Sequence, residues 1–256
     1  MSEGEIVHRF EGHSTQVESV AISRDGRWLA SSDQKGLLII WDLSTRTLKH
    51  RLEAHSDWVE TICFNQNGQY LASASRDRSI KIWEVEKGTL QRTLQSSNEL
   101  VSSVAFSPDD RYLLTGGIDV QQEVSLWDLE SAQELKRLDL HTRWSKSLQY
   151  HPQGQYFASA GDCDNEVLVC QSLTGGVVYY LNSSFGCAEY IHYDPSGDYL
   201  VLGSMWGISV WHIVNEEVVF EAQTHEFPVE EVVFSPKGSF LASAGRDGQV
   251  HIWALF

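Results

Sequence analysis

The chain has 256 residues and a formal net charge of −16, from 35 Asp and Glu against 19 Lys and Arg. A field of that sign repels phosphate backbones, which argues against nucleic acid as a partner and favours solubility. With 42% hydrophobic and 11% aromatic residues the composition is that of a folded globular protein; no apolar run is long enough to span a bilayer, and Met1–Ile6 has no basic region leading into an apolar one, so neither a membrane span nor a secretory signal is expected.

The elements follow in chain order. Ile6–His13 reads IVHRFEGH and has the outline of Leu48–His55, LKHRLEAH. A first β-type run, VESVAIS, starts at Val17, and the turn RDG leads to a second run at Trp28. A third run ends at Trp41, and a more polar fourth run spans Thr47–Leu52. This outline then returns. First runs read VETICFN from Val59, VSSVAFS from Val101, SKSLQYH from Ser145, AEYIHYD from Ala188 and VEEVVFS from Val229. Pro108, Pro152, Pro195 and Pro236 all sit in the following turn, where proline pre-sets the bend. The second run starts at an aromatic each time: Trp28, Tyr70, Tyr112, Tyr156, Tyr199 and Phe240. Closing residues Trp41, Trp83, Trp127, Cys170, Trp211 and Trp253 are spaced by 42, 44, 43, 41 and 42 residues.

Short alternating strands at that period, with no helical periodicity between them, argue an all-β fold of four-stranded propeller blades. The phase fits a six-bladed β-propeller of antiparallel blades, forming one domain over 1–256. VHIWALF ends the last unit at its third strand. The N-terminal strand, residues 5–10, is therefore expected to complete the last blade and close the ring, removing long sheet edges.

The second unit carries His55, Ser73, Asp77 and Trp83 in AHSDWV, LASAS, RD and IKIW. The last carries His225, Ser243, Asp247 and Trp253 in THEFPV, LASAG, RD and VHIW. On these residues the chain resembles the WD-repeat (WD40) β-propeller family over essentially its full length. The resemblance implies that each set of four forms a hydrogen-bonded network inside its blade. The same His, Ser and Asp types would also suit a nucleophilic triad. They recur with the period of the fold, however, and no Gly-x-Ser-x-Gly, HExxH, P-loop or EF-hand pattern appears. Hence no catalytic residue, cofactor or metal is expected. Cys63, Cys163, Cys170 and Cys187 lack CxxC or Cys/His zinc spacing and read as free thiols, giving a cytoplasmic expectation, with a nuclear one open in a eukaryote.

Departures mark blades one and three to five. Blade one has Lys35 where the Asp belongs. Blade three has Ser97 for His and a longer turn around Asp119. Blade four has Cys170 for Trp and an acidic turn, GDCDNE. Blade five has Ser184 for His, Leu202 for Ser and a short turn, SMWG.

The resemblance further implies docking of partners on the top face of the ring. The corresponding positions lie three and five residues after the His, and just before the turn Asp. Three after are Gln16, Trp58, Leu100, Trp144, Cys187 and Pro228. Five after are Glu18, Glu60, Ser102, Lys146, Glu189 and Glu230. Before the turn are Gln34, Arg76, Ile118, Asp162, Met205 and Arg246, and the short blade-five turn adds Trp206. Trp58, Trp144 and Trp206 all map to this face, and exposed Trp beside Arg is the composition of interface hot spots. Glu18, Glu60, Glu189 and Glu230 would set a negative mouth that favours an inserted Lys or Arg, unless Arg76 and Arg246 pair with it. The expected function is a non-enzymatic protein–protein interaction scaffold, a monomeric ring within a hetero-complex. The alternative is a regulatory or sensor module controlling a separate effector enzyme.

Overall fold

The computed structural model describes residues 6–96, 100–117, 123–161 and 166–254. Two compact units divide the chain, Met1–Ser96 and Ser97–Phe256. Among the described residues every regular element is a β-strand.

The first unit holds two blades. Blade one is β1 (Val17–Ile22), β2 (Trp28–Asp33), β3 (Leu37–Asp42) and β4 (Thr47–Glu53). Blade two is β5 (Val59–Phe64), β6 (Tyr70–Ser75), β7 (Ser79–Glu84) and β8 (Thr89–Gln95). Each is an antiparallel meander in sequence order. Leu38 and Ile40 of β3 pack against Val59, Ile62 and Leu71 of the next blade, so the core lies between sheets. Burying each such side chain contributes roughly 1.5–3 kcal/mol.

The second unit holds the other four. Blade three is β9 (Val101–Phe106), β10 (Tyr112–Gly117), β11 (Glu123–Asp128) and β12 (Gln133–Asp139). Blade four is β13 (Ser145–Tyr150), β14 (Tyr156–Gly161), β15 (Glu166–Gln171) and β16 (Val177–Asn182). Blade five is β17 (Ala188–Tyr193), β18 (Tyr199–Ser204), β19 (Gly207–His212) and β20 (Glu217–Gln223). The sixth sheet is β21 (Val229–Phe234), β22 (Phe240–Gly245) and β23 (Val250–Ala254). The packing rule repeats from blade to blade. Leu114, Val124 and Leu126 meet Leu148, Phe157 and Leu168. Val167, Val169 and Leu181 meet Ile191, Tyr193 and Leu200. Ile208 and Val210 meet Val232, Phe234 and Leu241. The fold class is the expected one, all-β with six antiparallel β-propeller blades.

One expected element differs. Of the closing strand placed over 5–10, residue 5 lies outside the described residues, and 6–10 form no strand. The sixth sheet accordingly has three described strands. Ile6 and Val7 are exposed, and the segment is held by an aromatic contact instead. The Phe10 ring lies 5.1 Å from that of Trp41 and 4.5 Å from that of His8. Gly12 passes so close to β3 that a Cβ there would lie 2.8 Å from Ile39 Cδ1. Its carbonyl accepts a 2.7 Å hydrogen bond from Arg51.

Candidate partner-docking site

In blades one, two and five and in the sixth sheet, the turn joining the second and third strands shares one end of the sheet with the loop that leads into the first strand. The polar network holds these two segments together. In blade two the Trp83 indole N–H donates to Ser73 Oγ at 2.9 Å, Ser73 donates to His55 Nε2 at 2.7 Å, and His55 Nδ1–H donates to Asp77 at 2.9 Å. The sixth sheet repeats this through Trp253, Ser243, His225 and Asp247 at 3.4, 2.9 and 2.9 Å. Burial alone would raise the Asp77 pKa; hydrogen bonds from His55 and Ser79 outweigh it and hold the group well below the ordinary carboxylate range. Asp247 is likewise lowered, its hydrogen bonds from Gln249 and His225 overcoming desolvation.

This geometry is also that of a Ser-His-Asp triad, and accessibility separates the two readings. Ser73 is 0% exposed and Ser243 1% exposed, and each oxygen already accepts an indole N–H. A nucleophile must reach its carbonyl, and these hydroxyls face only their own blade.

Blade one corrects an expectation. Lys35 stands at the turn position, but the network is complete, because Asp33 fills the role from two residues earlier. His13 Nδ1–H donates to Asp33 at 2.8 Å, Ser31 donates to His13 Nε2 at 2.7 Å, and Trp41 donates to Ser31 at 3.1 Å. The register explains the substitution. Asp33 pairs with Val17 as Ser75 pairs with Val59 and Gly245 with Val229. That position faces the His: a Cβ on Gly245 would lie 2.5 Å from His225 Nδ1. A carboxylate placed there reaches the imidazole directly and still accepts the turn N–H groups of Lys35 and Leu37.

The remaining networks are partial. In blade three, Trp127 donates to Thr115 at 3.0 Å. In blade four, Ser159 donates to His141 at 2.7 Å, and Cys170 in the Trp place is buried, which pushes its thiol pKa up to about 12. In blade five, the Trp211 indole N–H has no hydrogen-bond partner among the described residues. Ser183, the neighbour of Ser184, bonds Ser204 instead, at 2.5 Å. Ser97, Ile118, Asp119, Asp162 and Cys163 lie outside the described residues.

The positions five residues after the His share a feature that residue spacing does not show. Each first strand carries a β-bulge there, at Glu18, Glu60, Ser102, Lys146, Glu189 and Glu230. A bulge leaves one residue unpaired and re-aims its side chain. In the first unit Glu60 meets Arg76 Nε, while Glu18 accepts a 2.5 Å hydrogen bond from Gln34. In the second unit Glu230 meets Arg246 Nε, Lys146 lies 2.5 Å from Glu189, and Ser102 donates to the Ser145 carbonyl at 2.8 Å. Three of the four glutamates thus carry a cation already. Backbone bonds fix the positions before the turn against those three after the His: Gln34 N–H to Gln16, Arg76 N–H to Trp58 and Arg246 N–H to Pro228.

The aromatic residues divide. Arg76 stacks over Trp58, 4.0 Å from its centroid, and leaves that ring partly covered. Trp144 and Trp206 are each 44% exposed. Phe227, two residues after His225, is 54% exposed in the corresponding loop of the sixth sheet. Sequence reasoning missed it because only fixed positions were carried over; an aromatic between His225 and Pro228 was the available signal. Leu100 and Cys187 are half-buried.

Comparison with known proteins follows from this repeat. The WD40 profile, described as WD domain, G-beta repeat, matches residues 4–42, 46–84, 88–128, 132–169 and 216–254. The chain belongs to the WD40 repeat family. The matched ranges leave out 170–215, which holds the first three strands of blade five with Leu202, and Ser184 ahead of them. Among curated proteins, the chain is similar to a periodic tryptophan protein 2 homolog of Caenorhabditis elegans, 26% identical over 132 residues, covering 50% of this chain and 14% of that protein. It is 32% identical over 75 residues to the Neurospora crassa homolog, covering 28% of this chain and 8% of that one. WD repeat-containing protein SL1-17 of Schistosoma mansoni is 28% identical over 143 residues, covering 55% and 46%. The chain therefore spans less than half the length of these relatives.

Proposed function

We propose that this WD40 protein is a non-catalytic scaffold, a subunit of a larger assembly, that docks a protein partner on the loop ends of its blades. The observation that carries this reading is the exposure of Trp144 and Trp206, at 44% each, on the same end of neighbouring blades of the second unit. Two large rings left in water, on the two blades that also carry the Lys146–Glu189 pair, have the composition of a hot spot. A reducing compartment, cytoplasmic or nuclear, goes with this reading.

A partner Lys or Arg belongs at Glu18. Among the described residues that carboxylate is met by the neutral amide of Gln34 and by no cation, whereas Glu60, Glu189 and Glu230 are each already paired. Affinity purification followed by mass spectrometry tests the reading. The Trp144→Ala, Trp206→Ala double variant is expected to lose the partners of the unaltered chain while its thermal melting is unchanged. Retention of the same partners would overturn docking at this end. Glu18→Gln is expected to weaken binding of a basic peptide partner more than Glu60→Gln does.

A further inference from the structure

β13 runs from the Trp144 end of blade four to the opposite end. There, between blades three and four of the second unit, lies a cavity of about 330 Å³, the size of a small ligand site. Ser107 and Tyr112 line it from blade three, and Tyr150, Gly154 and Ser172 from blade four. Asp109 and Leu173 also line it and are exposed, so the cavity opens to solvent. The next pair of blades shows what such a place holds. In the repeat, Ser107, Tyr112, Tyr150 and Gly154 correspond to His151, Tyr156, Tyr193 and Gly197 between blades four and five. Gly154 and Gly197 share one backbone shape, with φ of +77° and +87°. Between blades four and five the His151 imidazole fills the space. Its ring lies edge to face with those of Tyr156 and Tyr193, at 6.1 and 5.2 Å. Nδ1 accepts the Gln153 N–H at 3.1 Å, so Nε2 carries the proton and donates to the Gly197 carbonyl at 3.1 Å. Burial holds the His151 pKa below its ordinary value, which favours the neutral ring. A Cβ on Gly197 would lie 2.3 Å from His151 Nε2, whereas one on Gly154 would meet nothing nearer than Pro108 Cδ at 3.4 Å.

We propose that the cavity between blades three and four binds an imidazole ring from outside the chain, set between the Tyr112 and Tyr150 rings and donating its N–H to the Gly154 carbonyl. Ser107 cannot supply that group itself. Its hydroxyl turns back, accepting the Tyr112 N–H at 2.8 Å and donating to Asp109 at 2.5 Å. The Gly154 carbonyl accepts the Ser172 hydroxyl at 2.6 Å and keeps a second lone pair for the ligand. The Tyr150 and Tyr193 hydroxyls both lack a hydrogen-bond partner among the described residues, so the faces and edges of the rings, and not their hydroxyls, define the place. Asp109 at the mouth disfavours an anionic ligand. A free small molecule and the histidine side chain of a partner present the same ring. The site is independent of docking at the loop ends, from which it is separated by the length of the blade.

Titration of the intact chain with imidazole, followed through the amide NMR signals of Ser107 and Gly154, tests the proposal. So small a ring is expected to bind with a Kd of about 1 mM. 1-Methylimidazole, which has no N–H, is expected to bind at least tenfold more weakly. Ser107→His supplies its own ring and is expected to weaken imidazole binding at least tenfold. His151→Ser empties the neighbouring place and is expected to add a second site, reported by the Gly197 amide. If Ser107→His disturbs folding by circular dichroism, His151→Ser and the two titrations of the unaltered chain decide. N-Acetylhistidine amide bound no more weakly than imidazole assigns the site to a partner's side chain; weaker binding assigns it to a free small molecule. The absence of a saturable shift at Ser107 and Gly154 overturns the proposal. So does 1-methylimidazole bound as tightly as imidazole, or binding that a folded Ser107→His leaves unchanged.

Discussion

At the scale of single residues, the polar networks show that a role can be filled from a different position. Asp33 does for blade one what Asp77 does for blade two, although the two occupy different sites in the turn. Its carboxylate is held below its ordinary pKa: desolvation acts upwards, and the His13, Lys35 and Leu37 hydrogen bonds outweigh it. Removing it strands a His and two turn N–H groups, a loss of about 1–3 kcal/mol for a buried polar partner. Asp33→Ala is therefore expected to cost about as much as Asp77→Ala in urea denaturation, while Lys35→Ala stays near neutral. A near-neutral Asp33→Ala would show that the network of blade one contributes nothing. The sequence shows Asp33 plainly in SSD, but alignment by turn position looks two residues further on. Only the strand register, with position 33 facing His13, makes the equivalence visible.

At the scale of the element, the blades separate into those held by polar networks and those held by packing. Blade two has a complete network over an apolar core, whereas blade five has Leu202 and an indole N–H without a partner among the described residues. The same change should then cost different amounts in the two places. Trp83→Phe removes a buried donor to Ser73 and is expected to destabilise by about 1–3 kcal/mol. Trp211→Phe removes no hydrogen bond and is expected to cost clearly less, the comparison being made by denaturation of the two variants. Equal costs would mean that ring volume, and not the network, decides both. Repeat period and closing residues made the blades legible, because strand alternation and turn chemistry are local properties. The bulges at Glu18, Glu60 and their counterparts were not, since a bulge is a property of pairing between strands. Nor was the pairing of most of those glutamates, which depends on where the bulge aims them.

At the scale of the whole molecule, six repeats and their phase were legible, while the placement of Ile6–Phe10 was not. Its alternating residues suit a strand equally well, and the anchor that holds it, Phe10 on Trp41, is a tertiary contact. The same distinction governs stability against pH, which depends on groups that the fold buries. His192 sits on β17, where its Nδ1 accepts the Phe234 N–H at 3.3 Å and its ring lies 6.2 Å from that of Phe234. Burial lowers its pKa to about 4, with opposing contributions from the Tyr193 backbone and Asp194. The folded state then binds fewer protons than the unfolded chain wherever pH lies between about 4 and the unfolded value of about 6.5. Stability is full above that window and falls as pH drops through it, by about 3 kcal/mol at most. Asp33, Asp77 and Asp247 act further down. Their lowered pKa values contribute stability above the unfolded carboxylate value, and it is lost as pH falls below about 4. Glu231 acts against His192: desolvation raises its pKa to about 7, so the folded state gains protons and stability as pH falls from about 7 towards its ordinary value of 4.5. Urea denaturation between pH 8 and pH 3 is therefore expected to show the difference of these two effects above pH 4 and the carboxylate loss below it. His192→Gln keeps an acceptor for Phe234 and cannot titrate, so from pH 6.5 to 4 its stability should fall less, or rise more, than that of the unaltered chain, with the lower loss unchanged. Asp77→Asn should reduce the lower loss, to which Asp33 and Asp247 still contribute, and leave the upper window as it is. An unaltered slope between pH 6.5 and 4 in His192→Gln would show that His192 contributes nothing there.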